Sequence, residues 1–296
     1  GMTAKFVPIR NPGHNRDKMY PLLMGEQIDG KGLGPIQGFN WGNIEKESVF
    51  CDYYTMRMIR SARMHYMQLA ESYVRAADRL AASASIDSTG KAASQVKEYR
   101  EKAVNLLDKQ YEVFPIKSCK IDELLNFTAM MYYRAHDTVK GDERSTELAN
   151  YYSENITYFA KQNQDYIMTM YQEIGGFLNH FEALKQGSGD SKFDIKNLNP
   201  DGYMQLVEKF KKAVYDDRDF GGIIRGDINN VIKTRRAGVM PLSFYQDAVP
   251  SLLPDADKDG VSDFTDKCPR TPGVIENSGC PQVKPQVKSK LPDVNK

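Results

Sequence analysis

The 296-residue sequence predicts a mainly α protein: helical hairpins, an extended N-terminal arm before them, and a small acidic, disulfide-stapled module after them. Three observations carry that reading. From Asp52 to about residue 185 the chain is rich in helix formers and nearly free of Gly and Pro, with apolar residues recurring at helical spacing. Before it, glycines cluster without periodicity, and after residue 250 aspartates, prolines and cysteines crowd into under thirty positions. Hydrophobic residues at 41%, with 10% aromatic, supply enough apolar material for a packed core, which excludes wholesale disorder.

Taken in order, residues 1–51 read as a turn-rich arm packing on the helices, with Gly30, Gly32 and Gly34 alternating and Trp41 as the side chain that docks it. The Gly-x-Gly spacing is no phosphate loop, since no strand precedes it and no Gly-Lys-Ser/Thr follows. A helical-hairpin domain over 52–186 is expected to hold helices at about 52–84, 92–112, 120–137, 143–163 and 165–185. Leu69, Ala70 and Tyr73, followed by Ala103, Leu107 and Pro115, stand at the spacing of the two helices of a tetratricopeptide unit. Small residues at Ala70 and Ala103 let two antiparallel helices approach, Tyr73 and Leu107 fill the groove, and Pro115 ends the second helix. Ser83, Ser85, Ser88 and Gly90 mark an insertion longer than the standard repeat allows, and irregular hairpins remain the other reading. A weaker second unit runs through Ala129, Tyr132 and Ala135 into Ala149.

Residues 187–253 read as linker and helical extension. Gly187-Ser188-Gly189-Asp190 is flexible by composition, 201–216 is amphipathic with Tyr203, Leu206, Val207, Phe210 and Val214 on one face, Gly221-Gly222 falls in a loop, and a short helix follows at 226–236. The tail at 282–296, lysine- and proline-containing, reads as disordered.

The module at 254–281 carries the one strong chemical signal. Asp255, Asp257, Asp259, Asp263 and Asp266 place five carboxylates in twelve residues, an all-oxygen set suited to a hard cation, and Gly260 permits the turn that brings the first three together while the Val261 carbonyl points inward. Calcium is the expected ligand, held by Asp255, Asp257, Asp259, Val261, Asp263 and Asp266. Asp266 stands where an EF-hand has a bidentate Glu, and Pro254 and Cys268-Pro269 leave no room for flanking helices. A stretch so poor in core needs a staple, and Cys268 with Cys280 supplies it. With Asp266-Lys267-Cys268-Pro269-Arg270-Thr271-Pro272 and Gly279-Cys280-Pro281, the run resembles the thrombospondin type 3 repeat found in outer-membrane protein A-type proteins of the bacterial envelope. In those proteins the repeats link a membrane-embedded or lipidated part to a peptidoglycan-binding domain.

The N-terminal part carries a second resemblance. Ala4-Lys5-Phe6-Val7-Pro8-Ile9, Phe39-Asn40-Trp41-Gly42-Asn43-Ile44, Val49-Phe50-Cys51-Asp52, Asp108-Lys109-Gln110-Tyr111-Glu112-Val113-Phe114-Pro115 and Tyr132-Tyr133-Arg134-Ala135 look like the soluble C-terminal region of a bacterial membrane protein family related to protein O-mannosyltransferases. That likeness spans roughly 2–185 and implies an exported helical appendage of a glycosyltransferase-like membrane protein.

The remaining residues exclude more than they offer. Forty Lys and Arg against 39 Asp and Glu give +1, without the basic excess of a nucleic-acid binder. No apolar run approaches the ~18 residues of a membrane span, and Gly1-Met2 leaves room for a tether upstream. His14, His65, His136 and His180 are isolated, with no His-Glu-x-x-His, Gly-x-Ser-x-Gly or Cys-x-x-Cys, so no catalytic set emerges. Cys51 and Cys119 leave two readings open, a buried thiol each or a second disulfide, with free thiols favoured because a helical core needs no bridge. Asp216, Asp217 and Asp219 read as a solvated helix end, and the glycosylation triplets at Asn126 and Asn155 fall inside helices.

The expected function is a non-catalytic, extracytoplasmic protein-interaction module of the cell envelope or periplasm, with a calcium-binding linker and a helical groove for a protein or peptide partner. The alternative is the acceptor-holding soluble domain of a membrane glycosyltransferase.

Overall fold

The computed structural model describes residues 15–30, 34–44, 46, 49, 51–83, 90–119, 121–234, 238–264, 266–274 and 277–281. The expectations for Ala4 to Ile9, His14, the 84–89 insertion and the 282–296 tail lie outside the described residues. The protein is mainly helical, with eleven α-helices and a single two-stranded sheet among the described residues. It divides into two compact units, the first formed by residues up to Ser153 together with His180–Leu198, the second by Glu154–Asn179 together with Asn199 onward.

The arm is more structured than its glycines suggest. Asn15 accepts a hydrogen bond from the Lys18 N–H and starts α1 (Arg16–Leu23), and β1 (Ile28–Asp29) pairs antiparallel with β2 (Pro35–Ile36), Ile28 opposite Ile36. Gly30 lets that hairpin close, because a Cβ there would stand 2.2 Å from the Gly34 carbonyl oxygen, whose acceptor bond to the Gly30 N–H is 3.1 Å long. Trp41 docks the arm as expected. It stacks on Phe39, meets Phe114 edge-on at 4.9 Å between centroids, and donates its indole N–H to the Tyr66 hydroxyl at 3.2 Å. Tyr66 in turn donates to the Leu23 carbonyl at the end of α1.

α2 (Tyr53–Ser83) and α3 (Lys91–Val113) form an antiparallel hairpin, with Asp78 near Arg100 at one end and Arg63 near Phe114 at the other. Leu69, Ala70, Ala103 and Leu107 are fully buried between the two helices, and Tyr73 lies against Tyr99. Phe114 leaves the helix just before Pro115. α4 (Glu123–Arg134) begins at Asp122, whose carboxylate accepts from the Leu124 N–H and pairs with the wholly buried Arg63 guanidinium at 2.9 Å. The same guanidinium donates to the Phe114 and Cys119 carbonyls, so one side chain ties α2 to the end of α3, the connecting turn and the start of α4. α5 (Thr138–Lys161) follows, and Arg144 lies over the Tyr111 ring at 4.3 Å.

α7 (Tyr171–Ser188) runs through the segment that composition marks as a flexible linker. Gly187 sits on Met130 so closely that a Cβ would fall 2.3 Å from its Cγ, and Gly189, at φ 68°, ends the helix. Asp190 then caps a 3₁₀ turn at Ser191–Phe193, before the short α8 (Ile195–Leu198). The glycines serve close packing and helix termination here.

In the second unit, α9 (Pro200–Asp216) packs against α6 (Gln164–Thr169), α10 (Arg218–Thr234) and α11 (Leu242–Ala248). Phe210 is the hub, with the rings of Phe220, Phe244 and Tyr245 at 5.6, 5.2 and 6.4 Å. Lys209 donates to the Ala160 and Gln162 carbonyls at the C-terminal end of α5, where a cation complements the helix dipole. The loop expected at Gly221-Gly222 is the first turns of α10, which replaces the shorter helix expected at 226–236. Asp217 caps it through the Phe220 N–H, and Gly221 is required because a Cβ would stand 2.5 Å from the Val214 carbonyl oxygen. The boundary drawn at residue 187 on composition thus differs from the division in the structure, because residues 154–179 find their packing in the segment beyond 199.

Two outcomes follow from this packing. Arg63→Ala leaves the Asp122 carboxylate without its partner and is expected to cost about 3–5 kcal/mol in denaturant unfolding, whereas Arg60→Ala, at the exposed Arg60–Glu123 pair, is expected to cost under about 1 kcal/mol. A chain ending at Gln186 strips α6, with its buried Ile167, of α9 and takes Phe220 away from Tyr171, so its thermal unfolding is expected to lose cooperativity.

Candidate cation-binding loop

Beyond a 3₁₀ turn at Pro250–Leu252 the chain has no α-helix or strand among the described residues, and the backbone of its acidic loop is held by side-chain carboxylates instead. Asp255 accepts from the Lys258 and Gly260 N–H groups at 2.7 and 3.0 Å, using both oxygens. Asp259 accepts from Val261 at 2.8 Å, Asp263 from Ala256 at 2.8 Å, and Asp266 from Cys268 at 2.6 Å. Lys258 at φ 62° and Gly260 at φ 89° take the left-handed conformation, which coils the loop back on itself. The Asp263 N–H closes it onto the Pro254 carbonyl at 2.9 Å.

Carboxylate oxygens of Asp255, Asp257 and Asp259 come within 4.8 Å of one another, and no other three acidic, His or Cys side chains gather this way among the described residues. Asp257 Oδ2 and Asp266 Oδ2 are shielded from solvent and accept no hydrogen bond. Partial burial, with the charges of Asp259, Asp266 and Asp255 adding to it, holds the Asp257 carboxyl above its usual range. Among the described residues, no Lys or Arg forms an ion pair with any of the five aspartates. Three carboxylates that converge, with the charge of Asp266 acting on Asp257, repel one another and are an all-oxygen set of the kind a hard cation takes.

The structure therefore gathers Asp255, Asp257 and Asp259, sets Asp266 beside Asp257, and gives one Asp263 oxygen to the backbone. Val261 is half-buried, with its N–H on Asp259.

The Cys268 and Cys280 sulfurs stand at disulfide distance, 1.95 Å apart, with Cα atoms separated by 5.1 Å. The segment they enclose covers the acidic loop, which the aspartate spacing alone does not reveal. Gly273 donates to the second Asp259 oxygen at 2.9 Å, and Lys267 donates to the Ser278 carbonyl. Gly279, at φ 78°, lies against Asp266, where a Cβ would fall 2.0 Å from Oδ1. The signal available in the sequence was the placement of glycines at 273 and 279.

The other candidates do structural work. Asn126 is buried and accepts from the Tyr152 hydroxyl at 3.1 Å, which closes that glycosylation triplet in the folded protein. His180 lies against Tyr152, and burial lowers its pKa. His65 and His136 are exposed, Asp217 is the α10 cap, and Cys51 and Cys119 are buried, unbridged thiols. On the first unit, a cleft of about 530 Å³ is lined by Val96, Lys97, Arg100 and Val104 of α3 and by His136 and Val139 at the α4–α5 turn.

Compared with known proteins, the chain matches no family model, no curated protein and no solved structure.

Gly279→Ala forces a side chain into the Asp266 carboxylate at a left-handed position. Strain of about 1–2 kcal/mol is expected to raise amide exchange at Lys267 and Gly273 roughly tenfold, measured by hydrogen exchange.

Proposed function

We propose that residues 254–281 form a disulfide-stapled calcium site, in the manner of a thrombospondin type 3 repeat, and that the chain is a non-catalytic protein-interaction module of the extracytoplasmic bacterial envelope. The observation that carries the calcium reading is the set of converging Asp255, Asp257 and Asp259 oxygens, with unpartnered Oδ2 atoms on Asp257 and Asp266 and no basic side chain paired to them. Calcium supplies the missing positive charge and accepts irregular oxygen coordination. Asp255, Asp257, Asp259 and Asp266 are the carboxylate ligands, the Val261 carbonyl is the neutral one, and Asp263 holds the loop through Ala256 while completing the set. Binding relieves the mutual repulsion and so stiffens a segment that otherwise has a disulfide and few apolar contacts.

A disulfide and a weak calcium site both suit an oxidising, calcium-rich compartment, which supports the envelope assignment. The α2–α3 hairpin, with Ala70 and Ala103 at its contact and Pro115 after its end, is tetratricopeptide-like, and the cleft beside α3 offers aliphatic walls with Lys97, Arg100 and His136 at its edge to a peptide partner. A role as the acceptor-holding domain of a membrane glycosyltransferase rests on the resemblance over residues 2–185.

Titration calorimetry of the full chain, freed of metal by chelator, tests the site. A calcium dissociation constant of about 10⁻⁶ M or weaker is expected, with the heat lost in Asp257→Ala/Asp259→Ala and thermal stability raised in the unaltered chain by calcium. Absence of calcium heat, or a double variant that binds as the unaltered chain does, overturns the reading.

A further inference from the structure

We propose that Cys51 and Cys119 form a second, oxidant-closable disulfide that fastens the arm to the α3–α4 turn. The two thiols are buried, 68 positions apart in sequence, and the Cys119 side chain is in hydrogen-bonding contact with Cys51. Their backbones are independently fixed. Cys119 has its N–H on the Pro115 carbonyl and its carbonyl on Arg63, while Asp52, next to Cys51, caps α2 through the Thr55 N–H at 2.7 Å. Neighbouring contacts hold the same two segments together: the Ser118 hydroxyl donates to the Lys46 carbonyl at 3.2 Å, and Trp41 lies against Phe114. Two buried thiols on segments that these neighbouring contacts already hold together meet the first requirement for a bridge, which is proximity.

The oxidant is a small-molecule or protein disulfide. Of the two residues Cys51 is the less enclosed, at 9% exposure against none for Cys119, so in this proposal it meets the oxidant first. The Cys51 sulfur attacks one sulfur of the oxidant, giving a mixed disulfide and releasing one thiol that takes up the Cys51 proton. Cys119 then gives up its proton and attacks the Cys51 sulfur, releasing the second thiol. Two protein thiols are oxidised to one disulfide and one oxidant disulfide is reduced to two thiols. Burial pushes the Cys119 thiol up to about 12, so the second step is slow at neutral pH in the folded protein and fastest while the arm is undocked. This bond does not depend on the calcium reading, and calcium titration of the same oxidised sample reports on that reading separately.

The full chain is incubated with oxidised glutathione, unfolded in denaturant with an alkylating reagent, digested without reductant and mapped by mass spectrometry. Loss of both alkylation sites, with a Cys51–Cys119 peptide pair alongside Cys268–Cys280, is the expected result, and Cys51→Ser then shows Cys119 alkylated or carrying glutathione. Alkylation of both Cys51 and Cys119, stable glutathione adducts on each, or a bridge from either to Cys268 or Cys280 overturns the proposal. The readout is covalent, so a change in stability of the variant does not obscure it.

Discussion

The Arg63 guanidinium is the constraint on which the first unit depends. An arginine with no exposed side-chain surface is tolerated when its charge is compensated, and here Nη1 pairs with the Asp122 carboxylate while Nη2 donates to the carbonyls of Phe114 and Cys119. Those acceptors lie on the first residue after α3, the turn beyond it and the residue that starts α4. The position of Arg63 on α2 therefore dictates where α3 ends and where α4 begins. Phe114, held there by its carbonyl, presents its ring to Trp41, and through Trp41 and Tyr66 the arm inherits its seat. A loss at Arg63 thus propagates into the arm through Phe114 and Trp41.

The second unit solves the same problem with different chemistry. Its core is aromatic and centred on Phe210, with Lys209 at the carbonyls that close α5, Asp217 at the start of α10, and Asp227, in the middle of α10, accepting from the Val239 N–H and Tyr245 hydroxyl. Each polar group satisfies a backbone terminus or a buried hydroxyl that would otherwise be unmet. The result is a unit whose early part, 154–179, packs with the segment from 199 onward, although the chain enters that part in mid-helix.

Much of this was legible in the sequence, and the failures have physical causes. The α2–α3 pairing was readable because Leu69, Ala70, Tyr73, Ala103 and Leu107 repeat at helical spacing, and the aspartates because alternation with Gly at the sixth position is rare by chance. Gly187 and Gly221 misled because glycine has two uses: it loosens exposed chain, and it lets helices touch. Only the neighbouring Met130 and the Val214 carbonyl tell which use applies. The helix at 16–23 was missed because Pro21 and the surrounding glycines mask a short element whose stability comes from Tyr66 and Tyr73 of α2. Arg63 did leave a trace, since it shares a helix face with Ile59, Tyr66 and Ala70, all buried, but a charged residue on an apolar stripe does not announce its partner.

The contrast between Arg63 and the acidic loop separates charges that hold the fold from charges that await something. Arg63 is enclosed and its charge is answered by the Asp122 carboxylate and by two backbone carbonyls. The five aspartates of residues 255–266 have organised their own backbone, spending oxygens on seven amide hydrogens, and still present the Asp257 and Asp266 Oδ2 atoms to a space they share with other carboxylates. Backbone amides carry only partial charge and cannot neutralise such a set, whereas a divalent ion can. The disulfide-enclosed segment over the loop keeps those oxygens together, which under the proposed calcium reading would lower the ordering cost of binding.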